Sequence, residues 1–286
     1  MDSKVFFVKK DEMEKIPTAL KKINLDIFKN KEVLIKLHMG ELGNKWHVKP
    51  RIVKIVVDEL KEMKSKPFLF DTAVIYHGSR DSKEKYMDTA LKNGFDKVGC
   101  PIVIGNEGPN VKMNDGGIEF TYEVAKEIND SENIFAISHG KGHGITGFGG
   151  AIKNFGMGGV SKKCKGNMHS ASVTKKILSL DQTKVTFDKI LSLGAKACLS
   201  EKEVLYMNVL TDITKECDCC VNSLPIICDD IGFLFSKEPV AIDTASIDLI
   251  EKISRNPKVF RMHPREQVEF AEEIGLGSMD YKLKTI

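Results

Sequence analysis

The chain has 286 residues, 42% hydrophobic and 29% charged, which is ordinary globular composition in a length that suits one large domain or two modest ones. Its 43 basic and 40 acidic residues leave a net charge of only +3, which argues against a dedicated nucleic-acid binder, and a single Trp argues against a base-stacking platform. No apolar run approaches about 20 residues, so no membrane-crossing helix is expected. Met1-Asp2-Ser3-Lys4-Val5 does not open like a signal peptide, so the expected setting is cytoplasmic, with the seven Cys as reduced thiols or metal ligands.

Val5-Phe6-Phe7-Val8 reads as a first strand, followed by apolar residues at helical spacing over 11–23. Val33-Leu34-Ile35-Lys36-Leu37 is a second strand, leading into His38 and Glu41. Pro50 sits at a helix start, and Ile52 to Leu60 continue it with an apolar stripe. Phe68-Leu69-Phe70 is a third strand ending at Asp71-Thr72; a loop holding Arg80, a helix over about 82–93 and a strand at Ile102-Val103-Ile104 follow. Strand alternating with helix predicts an α/β fold, a mostly parallel sheet flanked by helices. The expected organisation is a single domain over 1–286, within which two α/β lobes, 1–130 and 131–286, would flank a shared cleft. Ligands of such sheets bind at the carboxyl ends of the strands.

Residues 106–117 read as a Gly- and Asn-rich loop, and alternation of Phe120, Tyr122 and Val124 favours a strand. The central stretch begins with a buried strand, Ile134 to Ile137, and continues through Gly140, Gly142, Gly144, Gly147, Gly149 and Gly150, with Lys141, His143 and Lys153 among them. Glycines between a strand and a helix start leave N–H groups free for an anion, and the two lysines add charge. The alternative is a flexible polar loop. Ser161 to Ser170 is basic and polar, either a second contact to the same anion or a solvated loop. Residues 171–200 look helical, Val204 to Leu210 and Ile231 to Phe235 read as strands, and Pro239 opens a helix over Val240 to Ile253. A helix near 264–274 and a short strand close the chain.

Four Cys cluster in Cys217-Asp218-Cys219-Cys220 and Cys228. Clustered thiols in a reducing setting suggest a soft metal, with Cys217 and Cys219 on one side of an extended segment and Cys220 turned toward the core. Two thiolates are half of an iron–sulfur set, which Cys164, Cys228 or the second copy in a homodimer would complete. Zinc held by Cys217, Cys219 or Cys220, Cys228 and a His is the competing assignment, and ordinary unligated thiols are the third.

Three ordered motifs then carry a family resemblance: Gly144 to Asn154; Lys162 to Ser170; and Cys217-Asp218-Cys219 with Asp230-Ile231-Gly232 and Lys237-Glu238-Pro239-Val240-Ala241-Ile242-Asp243. Together they resemble the domain-of-unknown-function family 362 (DUF362). The resemblance implies an association with iron–sulfur (4Fe–4S) proteins. Many members carry a ferredoxin insert between the equivalents of residues 170 and 204, and this chain lacks it. Gly149-Gly150-Ala151-Ile152-Lys153 is also similar, more distantly, to lactate racemase catalytic subunits, where Gly-Gly and a Lys help hold a nickel-pincer nucleotide. One extra residue before Lys153 makes the implied contact a non-covalent one to phosphate.

These readings converge on a metal-binding α/β protein, with an iron–sulfur cluster at Cys217 and Cys219. A phosphate-bearing or other anionic ligand would sit at Lys141, Gly149, Gly150 and Lys153. His38, Asp71 and His143 are the proton-transfer candidates, and oxidoreductase or isomerase chemistry on a small acid is the expected reaction. A non-catalytic metal carrier is the competing reading.

Overall fold

The computed structural model describes residues 3–105, 107–174 and 185–286. Its elements, in chain order, are β1 (Ser3–Lys9), α1 (Ile16–Lys22), β2 (Glu32–Lys36), α2 (Pro50–Glu62), β3 (Lys66–Thr72), α3 (Lys83–Lys92) and β4 (Ile102–Gly105). Then come β5 (Asn110–Asp115), β6 (Ile118–Glu123), α4 (Lys126–Asp130), β7 (Asn133–His139), β8 (Lys141–His143), β9 (Gly147–Gly149), α5 (Ala151–Gly156) and α6 (Lys162–Thr174). The chain finishes with α7 (Phe187–Leu199), β10 (Glu203–Leu210), β11 (Gly232–Ser236), α8 (Pro239–Ser254), α9 (Glu266–Glu273) and β12 (Tyr281–Thr285).

Eight strands form one sheet in the order β12-β1-β11-β10-β7-β2-β3-β4. Only the two pairings of β11 are antiparallel within it. Strands from both halves of the chain interleave, with β7 between β10 and β2. The period-2 alternation of each strand sends its apolar residues to two separate cores. Leu34, Phe70, Ile134 and Ala136 face α5, α7 and α8, whereas Val33, Ile35, Leu69 and Phe135 face α1, α2 and α3. A sheet covered on both faces explains why its central strands read as continuous apolar runs.

Two sequence expectations change here. Residues 106–117 are not loop throughout: β5 pairs with β6 in a hairpin. Its two-residue turn is Gly116-Gly117, at φ +54° and +71°, the positive angles that a type I′ hairpin turn requires. Ser161 to Ser170 is mostly helix, not loop, and α6 buries Cys164 and Met168 in the core. The helix expected over 171–200 is present as the end of α6 and as α7, and the part at 175–184 lies outside the described residues. Among the described residues no helix is long and apolar enough to cross a membrane.

Candidate functional site

β2, β3, β7 and β10 are parallel, so their carboxyl ends share one edge of the sheet. A cavity of about 340 Å³ opens there. From β2 come Lys36 and His38; from β3, Asp71 and Thr72; from β7, Ser138 and His139. The β8–β9 hairpin and the start of α5 close one side with Lys141, His143, Gly149, Gly150 and Lys153. Cys217 and Cys219 form part of the same wall. The nine site residues on which the sequence reading converges therefore meet in one cavity, together with Arg80.

Lys36 lies 1% exposed at the end of an apolar strand. Its ammonium donates to Asp71 Oδ1 at 2.9 Å and to Asn154 Oδ1 at 2.8 Å. Tyr86 donates its hydroxyl to the other Asp71 oxygen. Burial alone would raise the Asp71 pKa, but Lys36 foremost among its neighbours holds it down at about 2. Burial draws the Lys36 ammonium below its ordinary range while Asp71 opposes that pull. Asn154, on α5, ties the helix to two strands: its amide nitrogen lies 3.2 Å from the Lys36 carbonyl, 3.1 Å from the Ile137 carbonyl and 3.0 Å from Ser138 Oγ. Removing a half-buried partner of this kind leaves several groups unsatisfied. Asn154→Ala is expected to cost about 2 kcal/mol, read as a lower urea midpoint at unchanged m-value.

Arg80 is fully buried and donates to Glu41 Oε2 at 3.1 Å, and Nη1 lies 2.6 Å from His38 Nε2. Guanidinium has no acceptor, so His38 Nε2 accepts from it, while His38 Nδ1 lies 3.1 Å from the Gly40 backbone nitrogen and 3.6 Å from Asp218 Oδ2. Burial first, and then Arg80, keep the His38 pKa well below the usual histidine range. His143 is neutral for similar reasons, burial first and then Lys153 and Lys141. Its Nδ1 accepts the Thr146 N–H at 3.2 Å, which leaves the Nε2–H as a donor.

Asp218 is fully buried between Lys141, 3.3 Å from Oδ1, and His139 Nδ1, 3.0 Å away. Burial opposes its charge, yet Lys141 and His139 keep its pKa well below the carboxylate range. Lys141, although buried, is in turn held above its ordinary value by Asp218 and the thiols of Cys217 and Cys219. Lys165, from α6, donates to Thr72 Oγ1 at 2.6 Å and the Ala73 carbonyl at 2.7 Å. Burial, reinforced by Lys36, Arg80 and Lys153 against Asp71, brings its pKa down to about 7.

The thiols do not lie on an extended segment. Cys220 N–H bonds back to the Cys217 carbonyl at 2.9 Å, so 217–220 is a turn, and Cys219 N–H points at Cys217 Sγ at 3.4 Å. The turn brings both thiols to the cavity and leaves Cys220 exposed, not in the core. Cys164 is buried at the core beside Cys198 and does not line this cavity, nor does Cys228. None of the seven Cys is in a disulfide. Among the described residues no group of three or more His, Cys, Asp or Glu side chains is placed to hold a metal ion. One chain thus offers two thiols, half of what a four-thiolate cluster or a zinc site takes.

The helix start that the glycines introduce is also not free. Asp243, on α8, accepts the N–H groups of Ala151 at 2.7 Å and Ile152 at 2.9 Å, and the Asn208 amide at 2.7 Å. A fully buried carboxylate, its pKa raised by burial to about 6, occupies the place expected for a ligand anion. The anion-binding capacity of the wall lies in side chains instead. Sequence reading missed Lys36, Asn154 and Asp243; a lone Lys inside a run of buried strand residues was the available signal, because such a charge needs a partner.

An open, mostly parallel sheet with a cation-walled cavity at its carboxyl edge defines an α/β protein of the kind that binds ligands at strand ends. The chain belongs to the family described as Domain of unknown function (DUF362), whose model matches residues 33–248. No curated protein matches it. A crystal structure of a protein from Thermotoga maritima is similar in fold, with a TM-score of 0.50 at 14% identity over 85% of this chain and 58% of that one. The lactate racemase apoprotein from Thermoanaerobacterium thermosaccharolyticum gives a TM-score of 0.47 at 15% identity, covering 73% of this chain and 51% of that one. The chain thus spans little more than half the length of either.

Proposed function

We propose that the protein binds a small anionic ligand in this cavity. The supporting observation is the charge imbalance of the wall. Lys36 is paired with Asp71, Arg80 with Glu41, and Lys141 with Asp218. Lys165 donates only to neutral oxygens. Lys153 lines the cavity, and among the described residues its ammonium has no hydrogen-bond or ion-pair partner. A carboxylate or phosphate at Lys153, in the cavity that His143 also lines, supplies the missing charge. His143, with its neutral ring, and Lys165, near its titration point, are groups able to move a proton to or from such a ligand. That set suits isomerase or oxidoreductase chemistry on a small acid.

Lys153→Gln tests the reading. It removes the charge and keeps a hydrogen-bonding side chain. Titration calorimetry with acetate and inorganic phosphate should show affinity falling roughly ten- to a hundredfold, the scale of one charge-assisted hydrogen bond, at an unchanged melting temperature. Equal binding by the variant overturns the role given to Lys153.

A second reading rests on the two thiols. Cys217 and Cys219 would hold a soft metal whose remaining positions come from the bound ligand or a second copy of the chain. Cys217 is held protonated by its hydrogen bond to Cys219 and by burial, so metal binding would displace protons and weaken in acid. Metal analysis of anaerobically purified protein, wild type against the double variant Cys217→Ser/Cys219→Ser, decides this reading; equal metal content in the two removes it.

A further inference from the structure

The cavity is charged at its floor and apolar toward its opening. Val74, Ile75, Tyr76, Ile145, Met157 and Phe187 share the wall with the lysines. Ile75, Tyr76 and Ile145 are 37%, 39% and 48% exposed, three large apolar side chains from two separate loops turned toward the same space. Ile75 and Tyr76 follow β3, and Ile145 is in the turn between β8 and β9. Exposed apolar side chains scattered singly need no explanation, but several that converge on one concave site do. The size of the space points the same way. Liquid water takes about 30 Å³ per molecule, so a cavity of about 340 Å³ greatly exceeds an inorganic anion. Predominantly apolar walls with a few converging polar groups are the usual composition of sites for organic ligands.

We infer that the ligand is an organic anion with an apolar body, its carboxylate or phosphate at Lys153 and its hydrocarbon against Ile75, Ile145 and Phe187. This rests on the anion-binding reading above and narrows it to a ligand class. An inorganic anion, or a small acid with no hydrocarbon, would leave this apolar wall wet.

The experiment is a calorimetric series on the full chain with acetate, butanoate, hexanoate and octanoate, beside inorganic phosphate and the neutral octanamide. Affinity is expected to rise with chain length, by up to about fourfold per methylene where burial is complete, and octanamide to bind at least tenfold more weakly than octanoate. In the variant Ile75→Ser/Ile145→Ser, at two solvent-exposed positions, the dependence on chain length should flatten, with folding checked by thermal melting. Acetate and phosphate binding as tightly as octanoate overturns the apolar body and leaves the anion reading standing. A double variant that keeps the full chain-length dependence overturns the wall assigned here. If no anion of the series binds, or octanamide matches octanoate, the anion reading falls and this inference falls with it.

Discussion

Lys36→Met is expected to lower the unfolding free energy by roughly 3 kcal/mol at neutral pH, toward the lower end of what removing one partner from a buried ion pair costs. The variant keeps the length and most of the volume of the side chain, so no large cavity accounts for the loss. What remains is the Asp71 carboxylate, 3% exposed, with its principal cation gone. Tyr86 still donates to it and Lys165 still bears on it, which places the estimate at the lower end. The pH dependence carries a sign. Asp71 has a folded pKa of about 2, below its ordinary value of 3.8, so its contribution is fully present above pH 3.8 and is lost as pH falls toward 2. In the variant, burial is no longer opposed by Lys36 and the Asp71 pKa moves up. The stability gap between wild type and variant should therefore narrow in acid, and Lys36→Met/Asp71→Leu should recover much of the loss at pH 7. Urea denaturation at pH 7 and pH 3 measures both. A gap that widens in acid would contradict the ionised pair.

That pair also shows what sequence could and could not reveal. Apart from the polar edge strand β12, the strands of the sheet are legible because they hold short apolar runs set off by a charged, proline or glycine boundary. Val33 to Leu37 and Phe68 to Phe70 appear where expected, and Pro50 and Pro239 do open helices. The residues at the strand exits were legible too, because strands that leave an apolar run for His38, Asp71 or Ser138 bring those groups to one edge once the sheet is parallel. Partners were harder. Nothing local ties Lys36 to Asn154, 118 positions away, or Asp243 to the N–H groups of Ala151 and Ile152. The glycine-rich stretch reads as backbone open to a ligand, whereas part of it is backbone held against protein. A Cβ on Gly142 would lie 2.2 Å from the Lys215 carbonyl oxygen. Spacing fails at the thiol turn for a related reason: period-2 alternation applies to extended chain, and 217–220 folds back through a hydrogen bond that no spacing rule signals.

Gly149 and Gly150 separate the two uses of glycine, and the contrast supplies the second large effect. Gly150→Ala is expected to cost 3 kcal/mol or more. A Cβ there would lie 2.3 Å from Asp243 Oδ1 and 2.4 Å from Phe148 Cε1, both buried and neither the tip of a flexible surface chain. Backbone conformation is not the obstacle, since φ at Gly150 is −149°. The obstacle is the carboxylate that holds Ala151 N–H, Ile152 N–H and the Asn208 amide. Overpacking costs about 1–3 kcal/mol, and weakening hydrogen bonds to a buried carboxylate adds about 1.5–3 kcal/mol. Displacing Asp243 also shifts the start of α5, which carries Lys153 and Asn154 into the cavity, so anion affinity should fall along with stability. Gly149 differs. The nearest atoms to a Cβ there are Lys141 Nζ and Lys153 Cδ, each at 3.6 Å, an ordinary contact. Gly149→Ala should change stability by less than about 1 kcal/mol, as substitutions away from strained or overpacked sites do, while placing a methyl group between the two lysines and weakening anion binding. Chemical denaturation and calorimetry on both variants distinguish the roles. Equal destabilisation by the two would mean that Asp243 is not what demands a glycine at 150.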